Sequence, residues 1–118
     1  MFNFEKLDVW QKAVVLAEIV YSQTRNFPAE ERFGLTNQMR RAVISVSSSI
    51  AEGSSRMSQT DFSRFIEIAG GSLFEVTSQA FIAKKQGFLS EEGFGSIYER
   101  AEELSRMLSG LRKSLSAR

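Results

Sequence analysis

The chain has 118 residues, 42% of them hydrophobic and 25% charged, with one proline, no cysteine and no histidine. This is the length and composition of one globular domain. The two missing residue types exclude Ser-His-Asp and Cys-His nucleophile pairs, Cys/His zinc sites, haem held by His or Cys, and Cys-held iron–sulfur clusters. Fifteen Lys+Arg against 14 Asp+Glu leave a formal charge of +1, so any attraction to nucleic acid or membrane must come from local clustering.

Apolar residues recur at helical spacing in four segments, with no sustained period-2 alternation, which predicts an all-α chain with helices over about 8–26, 36–56, 59–86 and 91–116. The first segment starts at Asp8, a candidate N-cap, and carries Trp10, Ala13, Val14, Ala17 and Tyr21 until Phe27-Pro28 ends it. A polar connection, Ala29 to Gly34, leads to a second helix whose face runs Leu35, Met39, Ala42, Val43, Val46, Ile50 and Gly53. Ser58-Gln59-Thr60-Asp61 fits a capping box at the start of the third helix. Its face is Phe62, Ile66, Ala69, Leu73, Val76, Ala80 and Ala83, and Gly87 is placed to close it in the left-handed conformation. Ser90, with Glu91 and Glu92 behind it, opens the fourth helix, where Phe94, Ile97, Ala101, Leu104, Leu108, Leu111 and Leu115 follow the steps of three and four of a bundle seam.

Short connections make successive helices antiparallel neighbours, so the expected architecture is an up-down-up-down four-helix bundle forming one domain over 1–118. No run of about 18 uninterrupted apolar residues occurs. Met1-Phe2-Asn3-Phe4-Glu5-Lys6 lacks a basic region followed by an apolar stretch, and the expectation is a cytoplasmic protein without a membrane segment.

A turn centred near Met57 gives facing residues of helices two and three numbers summing to about 115. This sets Ser45 opposite Gly70 and Ile44 opposite Gly71. Adjacent glycines inside a helix cost roughly 1 kcal/mol each relative to alanine, and close backbone approach at Ser45, Gly70 and Gly71 is one compensation; a kink is the other reading. The chain also has more apolar residues than a single bundle needs. Phe65, Phe74, Phe81 and Ile82 lie off the seam of helix three, and Val9, Leu16, Ile19 and Val20 off the first face of helix one. They form an oligomer face, or wide helix faces absorb them within the bundle.

Several ordered motifs resemble one family. They are Phe4-Glu5-Lys6-Leu7-x-Val9-Trp10-Gln11-Lys12-Ala13, Phe27-Pro28, Phe33-Gly34-Leu35-Thr36-x-Gln38-x-Arg40-Arg41-Ala42, Ile50-Ala51-Glu52-Gly53-x-x-Arg56 and Asp61-Phe62-x-Arg64-Phe65-Ile66 through Gly71-Ser72-Leu73-x-Glu75 and Gln79. Together they make the chain similar to the 23S rRNA-intervening sequence proteins from about Phe4 to Leu89, while helix four matches only in pattern. Ser49 departs from the asparagine usual in the family before Ile-Ala-Glu-Gly, which removes an amide able to bond across the bundle. The resemblance implies a four-helix bundle assembled as a ring-like homopentamer, with no catalytic activity. It also implies kinship with the strongly basic, nucleic-acid-binding accessory proteins of diversity-generating retroelements, a branch that the near-neutral charge here does not fit.

Candidate nucleic-acid contacts are Arg40, Arg41, Arg56, Arg64, Lys84, Lys85, Arg112 and Lys113, with Arg106 and Arg118 adding to the basic C-terminus. Each has a structural alternative. Arg40 and Arg41 lie across from Glu75 by the same register and suit an interhelical ion pair. Arg56 and Arg64 pair locally with Glu52 and Asp61, and cations at helix C-termini answer the helix dipole.

Glu99, Glu102 and Glu103, with Glu91 and Glu92, are the one constellation for Mg²⁺-dependent hydrolysis, and they lack facing carboxylates on a second helix. No catalytic residue, metal ligand, cofactor or small-molecule substrate is expected. The leading reading is therefore a non-enzymatic homo-oligomeric bundle acting as a scaffold or adaptor for structured RNA or a ribonucleoprotein. The alternatives are a protein-binding module without nucleic-acid affinity, and the metal-dependent nucleotide hydrolase.

Overall fold

The computed structural model describes residues 1–116 and contains four α-helices: α1 Asp8–Thr24, α2 Leu35–Ser54, α3 Gln59–Lys85 and α4 Glu91–Ser116. They form an antiparallel bundle of 46 × 22 × 20 Å in which each helix packs on two neighbours, α2 on α3 most extensively, and α4 returns to α1. Short 3₁₀ turns at Asn3–Lys6 and Ala29–Glu31 flank α1. The first carries Phe4 onto Trp10, with ring centroids 4.8 Å apart.

Local chemistry explains most of the helix ends. The Ser58 hydroxyl accepts the Asp61 N–H at 3.1 Å, and the Ser90 hydroxyl accepts the Gly93 N–H at 2.9 Å. Gly87 has φ +80, and around it Gly87 N–H donates to the Lys84 carbonyl (3.0 Å) and Phe88 N–H to that of Ala83 (2.9 Å). These bonds satisfy carbonyls that the end of α3 would otherwise leave free. At the start of α1, Leu7 rather than Asp8 is the N-cap, and Asp8 is the first helical residue. The Glu31 carboxylate accepts the Leu35 N–H at 3.1 Å and so caps α2 from the preceding turn.

The core is one cluster drawn from all four helices. The predicted faces of α2 and α3 supply most of it, with Met39, Val43, Val46, Ile50, Ile66, Leu73 and Val76 closed to solvent. Helix α1 is rotated relative to expectation: Val9, Leu16 and Val20, counted as surplus from sequence, are buried with Ala13, while Trp10, Ala17 and Tyr21 are half-buried. Apolar residues surround most of this helix, so their spacing alone does not select a face.

The close approach between α2 and α3 also falls elsewhere than expected. A Cβ at Gly70 or Gly71 would meet nothing within 4 Å, and α3 runs through both glycines as one continuous helix. Ser45 faces Ser72, with their hydroxyls 2.8 Å apart. Between α2 and α3 the tight glycine is Gly53, where a Cβ would stand 2.7 Å from the Phe65 Cβ and 3.0 Å from Phe62 Cδ1. A turn midpoint fixes only the level at which two helices meet. The 100° step per residue decides which side chain faces the partner.

Candidate functional site

The candidate interface residues of α3 do not form one patch. Phe74, 70% exposed, and Phe81 are seven residues apart and lie on the α4 side. With Leu73, Tyr98 and Ala101 they line a hollow of about 430 Å³ between the two helices. Phe81 is held edge-on to Phe94 (4.7 Å) and Tyr98 (6.0 Å), whereas Phe74 has no aromatic partner among the described residues. A second hollow of about 190 Å³ continues past Phe74 to Gly70, Glu67 and Arg112. Phe65 lies on the opposite side of α3, beside Gly53 and under the Arg56 guanidinium at 4.6 Å. Ile82 is half exposed away from the hollow. Tyr98 was missed from sequence because it lies one residue off the α4 seam.

The candidate cations divide between the two ends of the bundle. Arg40, Arg41, Lys84 and Lys85 belong to the end where α1 meets α2 and α3 meets α4, and Arg56, Arg64, Arg112 and Lys113 to the other. Most have partners. Arg112 meets Glu67 at 2.7 Å, Arg56 meets Glu52 at 3.1 Å and Arg64 reaches Asp61 at 3.8 Å. Lys84 pairs with Glu91 at 3.1 Å and lies over the Phe94 ring, and Arg106 reaches Glu102 at 3.7 Å. Arg41, Lys85 and Lys113 make no ion pair among the described residues, and Arg118 lies outside them.

The expected ion pair between Arg40 and Glu75 is not formed. Arg40 turns to α1, donating from Nε to Thr24 Oγ1 at 2.9 Å with its guanidinium 4.6 Å above the Tyr21 ring. It thereby closes the C-terminal end of α1, a role that no motif announced. Arg41 shares a polar groove of about 300 Å³ with Gln38, Ser45 and Glu75, but without an ion-pair contact to Glu75. At the edge of this groove Gln79, only 7% exposed, donates to Gln38 Oε1 and Glu75 Oε2 at 3.5 Å each, and its own Oε1 has no partner.

Three of the five α4 glutamates are dispersed onto cations, Glu103 to Lys12 at 3.4 Å, Glu102 to Arg106 and Glu91 to Lys84, and Glu92 and Glu99 make no ion pair among the described residues. No three acidic side chains converge in a metal-binding arrangement among the described residues. None of the described helices is long and apolar enough to cross a membrane.

Fold and surface together define a small antiparallel four-helix bundle with an apolar groove between α3 and α4 and dispersed charge, in which six cations are ion-paired among the described residues. The 23S rRNA-intervening sequence protein family matches residues 5–110, and the chain belongs to that family. A crystal structure of a protein of unknown function from the S23 ribosomal protein family of Bacteroides thetaiotaomicron has the same fold. It is 21% identical, with a TM-score of 0.80 over 89% of this chain and 98% of that one. No curated protein matches the chain.

Proposed function

We propose that the chain is a non-enzymatic, cytoplasmic assembly module that self-associates through the α3/α4 face. The observation that carries this reading is Phe74, 70% exposed at the rim of a largely apolar hollow of about 430 Å³. Burying a phenylalanine side chain stabilises an interface by about 1.5–3 kcal/mol, and an aromatic beside a preformed groove is the usual form of an interface anchor. The family resemblance implies a ring of five. Light scattering coupled to size exclusion tests the reading: the native chain elutes as a multiple of 13.3 kDa, and Phe74→Glu shifts it to the monomer mass. A native chain that is monomeric at micromolar concentration overturns the reading.

Binding of structured RNA is the second reading, and Arg41, Lys85 and Lys113, without an ion pair among the described residues, favour it because assembly would repeat them in every copy. Fluorescence anisotropy with a structured ribosomal RNA fragment at two salt concentrations tests it. Phosphate contacts require affinity to fall steeply as salt rises. Absence of binding at low salt eliminates this reading and leaves the assembly one.

A further inference from the structure

The polar groove between α2 and α3 holds two opposite charges that do not pair. Arg41 and Glu75 line it with Gln38, Ala42 and Ser45 around about 300 Å³ of space, and neither makes an ion pair among the described residues. Glu67, about two turns earlier on the same helix, closes on Arg112 at 2.7 Å.

The floor of the groove is also incomplete. Gln79 is only 7% exposed, yet its Nε2 reaches Gln38 Oε1 and Glu75 Oε2 at 3.5 Å each, the limit of hydrogen bonding, and its Oε1 has no partner among the described residues. Turning the amide over does not help, because its oxygen would then face the Glu75 carboxylate, another acceptor. Buried polar groups are almost always bonded, so this amide marks a place where a donor belongs.

The groups left over define what fits. Arg41 offers guanidinium N–H donors and Gln38 an amide NH₂, which together suit a carboxylate. Glu75 Oε1, with no partner among the described residues, suits a cationic donor. A simple anion would be repelled by Glu75 and a simple cation by Arg41, so charge complementarity selects a molecule that carries both signs. No aromatic side chain among the described residues lines the groove, which therefore offers a nucleobase no stacking face.

We infer that this groove is a binding site for a free α-amino acid, its carboxylate on Arg41 and Gln38 and its ammonium on Glu75. The ammonium also brings the donor that the Gln79 amide lacks. Gln38 and Glu75, the two side chains bonded to that amide, are both exposed and free to swing aside for it. The site lies between α2 and α3 and depends on neither reading of the function above.

Isothermal titration calorimetry of the full chain with each standard L-α-amino acid at millimolar concentration tests the site. The N-acetyl and α-amide derivatives of any that binds serve as charge controls. At least one amino acid binds, and each derivative, lacking one of the two charges, binds at least about tenfold more weakly. Arg41→Gln and Glu75→Gln replace exposed side chains, keep the far-UV circular dichroism of the native chain, and each weaken binding by about 10–100-fold. Absence of both heat and a rise in melting temperature with every amino acid overturns the inference. So does binding that either substitution leaves unchanged, or that survives acetylation and amidation. Inorganic phosphate that binds more tightly to Glu75→Gln, with no amino acid bound by the native chain, assigns Arg41 to anions and overturns it as well.

Discussion

Gly53→Ala and Gly70→Ala change the same atoms in helices of one bundle, and the structure predicts opposite outcomes. At Gly53 a new Cβ would stand 2.7 Å from the Phe65 Cβ, an atom fixed to the α3 backbone, so the two helices must part. Overpacking of this kind costs about 1–3 kcal/mol. The gain in helix propensity offsets about 1 kcal/mol of that, less at Gly53 because α2 ends at Ser54. Gly53→Ala therefore loses about 0–2 kcal/mol and Gly70→Ala gains about 1, a gap of about 1–3 kcal/mol that is nearly all packing. Urea denaturation followed by far-UV circular dichroism, in the Phe74→Glu background to remove association, reads it. With a slope of about 1.5 kcal/mol per molar, the two midpoints differ by about 0.7–2 M. Equal midpoints with equal slopes would refute the placement of the α2/α3 close approach at Gly53.

Three further substitutions test separate parts of the structure. Leu16→Ala, at a side chain closed to solvent, destabilises by about 2–5 kcal/mol in denaturant titration, while Val14→Ala on the half-buried side costs less than half as much. Equal losses would return α1 to the orientation expected from sequence. Arg40→Ala lowers stability by about 1–2 kcal/mol through loss of the Thr24 hydrogen bond and the stacking on Tyr21. Arg41→Ala stays within about 0.5 kcal/mol by thermal melting, and a larger loss would mean that Arg41 has a structural partner. Ser58→Ala removes the bond to the Asp61 N–H, and a loss of about 0.5–2 kcal/mol in the same assay is expected.

The bundle was legible wherever spacing and end chemistry pointed the same way. Met39 through Ile50 and Ile66 through Ala83 fell on the predicted faces, and Ser58, Gly87 and Ser90 act as helix stops and starts for the reasons their side chains imply. The first helix was not legible in its rotation, because Val9, Trp10, Leu16, Val20 and Tyr21 distribute apolar surface around the cylinder. Arg40 was misplaced for a different reason. Its level along the axis is compatible with Glu75, but its position on α2 turns the long side chain toward Tyr21 and Thr24. Phe65 and Phe74, grouped from sequence as one off-seam set, are nine residues apart, and the 100° step per residue puts them on opposite sides of α3.

The balance between the apolar and charged surfaces decides which of them can drive association. Each ion pair of the candidate cations is solvent-facing, and such pairs contribute about 0–1 kcal/mol. Engaging phosphate through Arg112 or Lys84 requires giving up Glu67 or Glu91 first, so the net gain is smaller than for a free cation. Covering Phe74 demands no such exchange: its ring gives up water alone, at about 1.5–3 kcal/mol per copy. Two outcomes then follow for salt. Self-association through the α3/α4 face changes little between low and moderate ionic strength, whereas RNA binding weakens with a slope set by the number of cations that reach phosphate. Measuring both on one preparation separates them. An assembly that falls apart as salt rises would place the joint on the Arg41, Lys85 and Lys113 surfaces, and the apolar groove would then need a different occupant.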